Sequence, residues 1–149
     1  MKFSTKGRYG LRAMVDLAVH AKGDHVALYS IAERQGISTN YLEQVFSVLR
    51  KAGLVKSVKG AQGGYILAES PTEIKVGRIL RALEGPLTVI DENAETSGGK
   101  ENPIQQCIKA VVWDKMNESL NELADSVTLE DLAENYRKLN GMEDTMYYI

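Results

Sequence analysis

Residues 30–68, SIAERQGISTNYLEQVFSVLRKAGLVKSVKGAQGGYILA, decide the fold of this chain. The stretch contains a short helical pattern, a tight turn, a longer amphipathic pattern and two short strands joined by glycines. Ser30 followed by Glu33 is a capping-box pattern, which predicts a short helix that begins near residue 31. Gly36 predicts the end of that helix, because glycine adopts the left-handed conformation of a helix C-terminus without a steric penalty.

Ser38 predicts the start of a second helix that runs to about Ala52, before Gly53. An apolar stripe at helical spacing predicts its buried face: Leu42, Val45, Phe46 and Leu49. A second face has the same spacing and is polar: Asn40, Glu43, Gln44 and Ser47. Polar helix faces are usually only solvated, but Asn, Gln and Glu side chains also hydrogen-bond base edges in the major groove of DNA.

The segments LVKSV and GYILA, residues 54–58 and 64–68, predict a two-stranded hairpin because they are short and rich in β-branched or aromatic residues. The turn between them contains Lys59 and Gly60 and is rich in glycine. It is open to three interpretations: a phosphate cradle, an ordinary tight turn, or a mobile basic finger. It lacks the Lys-Ser/Thr ending of a nucleotide phosphate loop. Its position after the helices favours a basic wing.

This order of elements predicts a mainly α fold with a small β-hairpin wing, the winged helix-turn-helix of many DNA-binding proteins. Asn40 and Gln44 are candidate partners of adenine, and Glu43 of the cytosine amino group. Lys59 is a candidate for the minor groove or a phosphate. The candidate DNA-binding residues are Ser38, Asn40, Tyr41, Glu43, Gln44, Arg50, Lys51, Lys56, Lys59 and Gly60. Further candidate backbone anchors near the N-terminus are Lys2, Lys6, Arg8 and Arg12.

Helical patterns flank this unit on both sides. A first helix is predicted over residues 5–22 with Ser4 as its cap, and VGRILRALEG predicts another that ends at Gly85. Asn102 and Pro103 predict the start of a long helix, whose apolar side consists of Ile104, Ile108, Val112, Met116, Leu120, Leu123 and Val127. Thr128 predicts the cap of a last helix that runs to about Leu139, followed by the tail GMEDTMYYI.

These patterns divide the chain into three parts. We expect a winged helix-turn-helix unit over residues 1–87, a flexible polar loop over 88–101, and the long helix, short last helix and tail over 102–149. The charge follows a similar division, with 13 Lys and Arg against 6 Asp and Glu in residues 1–82, and 5 against 14 in residues 83–149. A basic front half predicts a surface for a polyanion, although the whole chain has a net charge of −2.

Several functional classes find no support in the composition. The chain has one cysteine, Cys107, which excludes an internal disulfide and a multi-thiolate zinc site. The sequence has no signature of an enzyme, such as a catalytic triad motif or a complete phosphate loop. No apolar run is long enough to span a bilayer, and the N-terminal residues lack a signal-peptide core, so we expect a cytoplasmic protein.

Four motifs together resemble the Rrf2 family of bacterial transcription regulators: STKGRYGLRAM, SIAERQGIS, YLEQVFSVLRKAGLVKSVKGAQGGYILA and VGRILRALEG. The resemblance covers residues 1–87. It implies a homodimer whose long helix, near residues 103–125, packs against its twin. It also implies that Asn40, Glu43, Gln44 and Lys59 match positions that contact operator DNA. Relatives often carry Arg where this chain has Lys59, and lysine lacks the planar fork of arginine.

Cluster-binding relatives carry three cysteines around the start of the long helix, often with a nearby histidine. This chain has Cys107 alone, and Ala110 stands where the histidine would be. The resemblance therefore implies a regulator with no metal and no cofactor, because one thiolate is too few for a [2Fe–2S] centre. Cys107 is then either a small core or dimer-contact residue, or a redox-sensitive thiol. The alternative function is an iron–sulfur or redox-sensing regulator that uses Cys107.

The last three residues, Tyr147, Tyr148 and Ile149, resemble the tail of the cluster-free branch of the family, which represses cysteine metabolism. A C-terminal isoleucine carboxylate suits a pocket of backbone donors. O-acetylserine thiol-lyase (cysteine synthase) binds the C-terminal isoleucine of serine acetyltransferase in this way. The resemblance thus implies that enzyme as a partner. Packing of the three residues on the dimer is the alternative.

Overall fold

The computed structural model describes residues 2–60, 63–91 and 102–147, with side chains up to residue 141. The front half contains α1 (Thr5–His20), α2 (Leu28–Gln35), α3 (Thr39–Lys51), β1 (Val55–Val58), β2 (Gly64–Leu67) and α4 (Val76–Glu84). The back half contains α5 (Pro103–Ile108), a π-helical turn (Lys109–Trp113), α6 (Asp114–Ser126) and α7 (Leu129–Tyr147). The predicted mainly α fold with a small antiparallel hairpin is confirmed.

One hydrophobic core joins both halves of the chain. The predicted stripe of α3 is buried, and Leu42, Phe46 and Leu49 are fully enclosed. These side chains pack in one cluster with residues of α1 and α2, such as Leu17 and Ile31. The cluster also includes Leu129 and Ala133 from α7. The last helix therefore helps to build the core of the winged helix-turn-helix.

The turn between α2 and α3 has the predicted chemistry. Gly36 ends α2 with φ of 65°, in the left-handed region that favours glycine. The hydroxyl of Ser38 caps α3 by accepting from the Tyr41 N–H at 3.1 Å. The predicted capping box at Ser30 is wrong, because α2 already begins at Leu28 and Ser30 lies in its first turn. Ala27 stands at the cap, and the strand-like pairing of the preceding residue sets where the helix starts.

That pairing makes the hairpin part of the body of the fold. Val55 pairs with Leu67 and Val58 with Gly64 in the antiparallel ladder. Val26, just before α2, forms an isolated bridge to Tyr65 through two backbone hydrogen bonds of 2.9 Å. The wing is thus held at its base by a third segment of chain.

The long helix begins as predicted but is not a continuous α-helix. The Asn102 side chain accepts from the Ile104 N–H at 2.8 Å and caps α5. Between α5 and α6 the backbone widens into a π turn, where the Asp114 N–H bonds to the Lys109 carbonyl five residues back. Residues 102–112 are all exposed. Cys107 is exposed with them, so the interpretation of this residue as part of the protomer core is wrong.

The last helix is longer than the sequence pattern predicted. Thr128 caps it reciprocally with Asp131: the Asp131 N–H donates to the Thr128 hydroxyl at 3.0 Å, and the Thr128 N–H to the Asp131 carboxylate at 2.9 Å. The helix then continues to Tyr147 rather than ending near Leu139. Gly141 lies inside it, because no proline or positive φ interrupts the backbone there.

Two features of the prediction lie partly or wholly outside the described residues. Tyr148 and Ile149 are outside, as is the side chain of Tyr147. The same applies to most of the predicted loop over 88–101. Within the described parts of the chain, none of the helices has the length and apolar character needed to cross a membrane.

Candidate nucleic-acid interface

The polar face of α3 is open to solvent. Asn40, Glu43 and Gln44 are all exposed, and Ser47 continues the same face half-buried. None of the three exposed side chains has a hydrogen-bond or ion-pair partner among the residues that the structure describes. The opposite face of α3 is locked into the core by Leu42, Val45 and Phe46. A rigid helix therefore presents three unpaired polar groups outward, as direct base readout requires.

An aromatic and basic cluster lies beside the start of α3. The Tyr41 ring meets the Tyr9 ring of α1 edge to face, with centroids 6.1 Å apart. The guanidinium groups of Arg12 and Arg8 lie 5.0 Å and 5.8 Å from the Tyr9 ring centroid. Arg12 also donates to the Gln35 carbonyl at the end of α2. The cluster places positive charge next to the reading face, where a phosphate backbone would pass.

The basic residues at the end of α3 and on the hairpin extend this surface. Arg50 and Lys51 are exposed in the last turn of α3, where the helix dipole favours cations. Lys56 and Lys59 are exposed on the hairpin. Across the described ranges, no salt bridge involves any of these four side chains, so their charges remain available to a polyanion.

The tip of the hairpin requires glycine. Gly60 has φ of 134°, which side-chain-bearing residues rarely adopt. The Gly63 N–H donates to the Gly60 carbonyl at 3.2 Å, and a Cβ on Gly63 would lie 2.6 Å from the Val58 carbonyl oxygen. Lys59 therefore stands beside two positions, Gly60 and Gly63, where the backbone leaves no room for a side chain or rarely tolerates one.

The orientation of the hairpin relative to α3 is also fixed. The Tyr65 ring of β2 packs against the Phe46 ring on the buried side of α3, with centroids 4.8 Å apart. A Cβ on Gly64 would overlap the Val26 backbone, so glycine permits the close bridge at the base of the wing. The polar residues of the reading helix and the basic residues of the wing, which the sequence patterns predicted, thus lie on one surface of the molecule.

Sequence patterns did not reveal the buried hydrogen-bond network that joins α1 to the helix-turn-helix. Asp16 of α1 is buried, and its carboxylate accepts hydrogen bonds from Arg34 at 2.7 and 3.0 Å and from Gln35 at 2.9 Å. Hydrogen bonding to Asp16 raises the pKa of Arg34. His20 adds a contact of 3.4 Å to the same carboxylate. Asp16 thereby fixes α2 on α1. The only sequence feature that could have indicated this contact is a charged residue on an otherwise apolar helix face.

The residues present do not fit an iron–sulfur cluster. Cys107 is the sole cysteine of the whole sequence, whereas such clusters take four soft ligands, mostly thiolates. In the described part of the chain, no three His, Cys, Asp or Glu side chains converge as metal ligands. His20 and His25 instead contact Asp16 and Asp24.

A winged helix-turn-helix with an open polar reading face and a basic wing defines a class of protein, the helix-turn-helix DNA-binding regulators. Comparison with known proteins then gives the family. The chain belongs to the Rrf2 family, whose model, described as an iron-dependent transcriptional regulator, matches residues 3–135. The resemblance in the four motifs is confirmed. The curated relatives reported below are named as transcriptional regulators rather than enzymes.

Two curated relatives are similar to this chain over most of their length. The chain is 44% identical over 134 residues to the HTH-type transcriptional regulator CymR of Bacillus subtilis. The aligned residues cover 89% of this chain and 90% of that protein. It is 38% identical over 142 residues to the HTH-type transcriptional regulator IscR of Pectobacterium atrosepticum, covering 94% of this chain and 84% of that protein.

Solved structures agree with the fold. The structure of CymR (YrzC), the global cysteine regulator of B. subtilis, has a TM-score of 0.76 at 43% identity, over 91% of this chain and 98% of that one. The structure of IscR from T. potens has a TM-score of 0.73 at 50% identity, over 91% of this chain and 88% of that one. The winged helix-turn-helix predicted from residues 30–68 is therefore confirmed.

Proposed function

We propose that this protein is a homodimeric, operator-specific repressor of genes of cysteine or sulfur metabolism. The observation that carries the DNA-binding part is the exposed and unpaired trio Asn40, Glu43 and Gln44, held beside a basic wing of fixed orientation. Regulation of transcription is the established role of the family. The dimer, the pathway and the partner enzyme are the finer parts of the proposal.

Each residue of the surface has a distinct role in this proposal. Asn40 and Gln44 bond adenine edges, and Glu43 accepts from a cytosine amino group in the major groove. Lys59 enters the adjacent minor groove or pairs with a phosphate, and the absence of side chains at the wing glycines lets it approach. The remaining residues contact the phosphate backbone and set the register: Ser38, Tyr41, Arg50, Lys51, Lys56 and Gly60.

The homodimer is supported by apolar side chains on the back half. Exposed apolar residues line the long helix: Ile104, Ile108, Val111, Val112, Met116 and Leu123. Such a stripe indicates a binding partner, because soluble proteins rarely expose a large contiguous apolar surface to solvent. A second copy supplies the same stripe, and a two-fold axis lets the two pack against each other. In that dimer the two reading helices address two half-sites of one operator.

The π turn supports the same partner. Apolar residues four apart drift by about 40° per step around an α-helix, so Ile104, Ile108, Val112 and Met116 would wind over about 120°. The π turn takes in one extra residue and turns the register back by about 100°. The four side chains then share one face of the helix. The salt bridge from Lys109 to Asp114, 3.1 Å and five residues apart, fits this wider turn.

Two observations favour cysteine or sulfur metabolism. CymR, the global cysteine regulator of B. subtilis, is similar over most of both chains, and this chain ends in Tyr147, Tyr148 and Ile149. We propose that the Ile149 carboxylate enters the active-site mouth of O-acetylserine thiol-lyase, which offers a nest of backbone donors. Association with that enzyme would then report cysteine supply.

The alternative is a redox-sensing or iron–sulfur regulator that uses Cys107. The exposure of Cys107 and the description of the family as iron-dependent favour it. The donor set opposes a cluster, because Cys107 is the only thiolate in the sequence. Iron and sulfide analysis of protein purified without oxygen separates the two, since stoichiometric iron and sulfide support the cluster and their absence supports the cofactor-free repressor.

The DNA-binding proposal is tested by mapping binding sites across the genome and then titrating a recovered site against a random duplex at one salt concentration. We expect a palindromic site bound about 10³-fold or more above the random duplex. Equal binding of both duplexes would contradict operator recognition. Sites in front of genes unrelated to sulfur would leave operator recognition intact and refute the proposed pathway.

A further inference from the structure

One carboxylate oxygen joins the end of α4 to the start of α1. Glu84 Oε1 accepts hydrogen bonds from the Ser4 N–H at 2.9 Å, the Ser4 hydroxyl at 2.5 Å and the Gly7 N–H at 3.0 Å. Ser4 is itself the N-cap residue of α1. A carboxylate at this position satisfies free N–H groups of the first turn and complements the positive end of the helix dipole.

The two glycines of the first turns of α1 make room for this contact. A Cβ on Gly7 would overlap the Glu84 carboxylate, and a Cβ on Gly10 would overlap the Leu83 side chain. Both glycines are buried. The helices therefore approach each other more closely than larger residues would permit, and the position of the α1 N-terminus depends on the end of α4.

That N-terminus carries part of the candidate DNA surface. Lys2 and Arg8 are exposed beside it, and Lys6 lies half-buried in the first turn. One turn further on, Tyr9 meets Tyr41 at the start of the reading helix. The basic side chains thus stand at a defined distance from the base-reading residues only while the first turn of α1 is held in place.

The other side of α4 is tied to the long helix. Arg81 donates to both carboxylate oxygens of Asp125, at 2.7 and 2.8 Å, and to the Asn121 side-chain oxygen at 2.7 Å. Asn121 in turn donates to the Leu87 carbonyl just beyond α4. Through these bonds α4 connects the helix of the proposed dimer seam with the basic N-terminus of α1.

We propose that Glu84 is a positioning residue for DNA binding: it holds the first turn of α1 so that Lys2, Lys6 and Arg8 meet phosphates while α3 reads the bases. This role rests on the proposed DNA-binding function. Glu84 does not itself contact DNA, and its three hydrogen bonds offset its charge near the phosphates. Its mechanism is alignment of cations that would otherwise fluctuate with a frayed helix end.

The direction of the change in DNA affinity distinguishes a positioning role of Glu84 from a simple effect of its negative charge. Removing a negative charge close to DNA would by itself strengthen binding to the phosphates. Loss of alignment has the opposite effect, because fewer cations then meet phosphates at once. We therefore expect Glu84→Gln to weaken binding to a random duplex of about three helical turns by roughly tenfold, and to lower the slope of log affinity against log salt by about 1–2.

A double-mutant cycle tests the route of the effect. In a background that carries Lys2→Ala, Lys6→Ala and Arg8→Ala, Glu84→Gln should change affinity by less than about twofold, because the groups it aligns are gone. Glu118→Gln, which removes an exposed charge from α6, is the matched control and should leave the salt slope unchanged. Ser4→Ala, which removes one donor and keeps the carboxylate, should give an intermediate loss.

Thermal unfolding and circular dichroism of each variant establish whether the fold is retained. If Glu84→Gln unfolds, Glu84→Asp, which keeps the charge on a shorter side chain, replaces it. Unchanged or stronger binding by the Glu84 variant overturns the positioning role. An undiminished loss in the triple-alanine background also overturns it. If the wild-type protein binds no duplex, the proposed function and this role fail together. If the wild type binds and the Glu84 variant matches it, only the role fails.

Discussion

Phe46 and Tyr65 pack ring against ring, with centroids 4.8 Å apart and planes inclined by 52°. Phe46 lies on the buried side of the reading helix, and Tyr65 lies in the second strand of the wing. The same Tyr65 exchanges two backbone hydrogen bonds with Val26. Reading helix and wing are therefore parts of one rigid surface, so substitutions at the wing tip and on the helix can be assigned to separate DNA contacts.

Replacement of Lys59 should weaken binding to every duplex. Lys59→Ala removes an exposed cation at the wing turn, so the slope of log affinity against log salt should fall by about one. Titrations at several salt concentrations measure it. Lys138→Ala, which removes an exposed cation from α7, is the control and should leave the slope unchanged. An unaltered slope for the Lys59 variant would show that the wing does not touch the phosphates.

Replacement of Glu43 should change specificity rather than general affinity. If Glu43 accepts from a cytosine amino group, Glu43→Ala should relax the preference at one base pair of each half-site by about 1–3 kcal/mol. Affinity for a random duplex should stay the same. An operator with every position substituted in turn gives the measurement. Identical base preferences for wild type and variant would contradict the assignment.

Acid should weaken the tie between α4 and α6. The hydrogen bonds from Arg81 lower the pKa of Asp125 in the folded protein. The ion pair between Arg81 and Asp125 therefore stabilises the folded protein above the ordinary aspartate pKa of about 3.9. This stabilisation is lost as the pH falls through the depressed pKa of Asp125 in the folded state. Asp125→Asn should be less stable than the wild type at pH 7, and the difference should shrink below about pH 4. Urea unfolding at both pH values checks this, and a constant difference would contradict it.

Lengthening the π turn should weaken the dimer. Insertion of one alanine after Ala110 adds a residue beyond the single extra one that the π turn absorbs, and rotates α5 by about 100° away from the α6 stripe. Loss of the buried contacts of Ile104 and Ile108 should raise the dimer Kd at least about tenfold.

Sedimentation equilibrium provides the measurement for this insertion. Ala110→Ser, which keeps the length of the turn, is the control and should dimerise as the wild type does. An insertion variant with wild-type helicity and wild-type Kd would show that the π turn does not set the seam. A wild-type protein that stays monomeric would instead contradict the proposed dimer.

Removal of the tail should abolish the proposed enzyme contact. Deleting residues 147–149 should eliminate binding to O-acetylserine thiol-lyase, while DNA binding by the regulator alone persists because the basic elements lie in residues 1–82. Full-length protein should bind with micromolar affinity, roughly −8 kcal/mol, since ordering a short segment on binding offsets part of the contact free energy. O-acetylserine should compete for the same donors. Calorimetric titration decides, and equal binding by the truncated protein would assign the three residues another role.

Local chemistry made much of the fold predictable from the sequence. Gly36, Ser38 and Asn102 act where they were expected, because a left-handed glycine or a capping oxygen depends on only a few neighbouring residues. The buried stripe of α3 was equally clear, since its period of three and four residues matches the helix. Ser30 misled because the start of α2 is set by the pairing of Val26 with Tyr65, 39 residues away in the chain.

The contacts that the sequence did not reveal are all between distant segments. Asp16 is an acidic residue in an apolar helix, and only its partners on α2 give that charge a purpose. Glu84 looked like the end of α4, but its carboxylate caps α1 across 80 residues of chain. Cys107 suggested burial by its residue type, yet α5 extends away from the core and leaves it exposed. Three-dimensional proximity, which no local pattern encodes, decided each case.

The π turn also bears on how this regulator changes over generations. Gain of a single codon between residues 109 and 113 rotates α5 by about 100°, while α6 and the DNA-binding half keep their places. One such event moves Ile104, Ile108 and Cys107 together to a different side of the helix. Point substitutions would need several steps to reach the same arrangement. The turn therefore gives a lineage a short mutational route to a new choice of subunit partner without altering the operator that it reads.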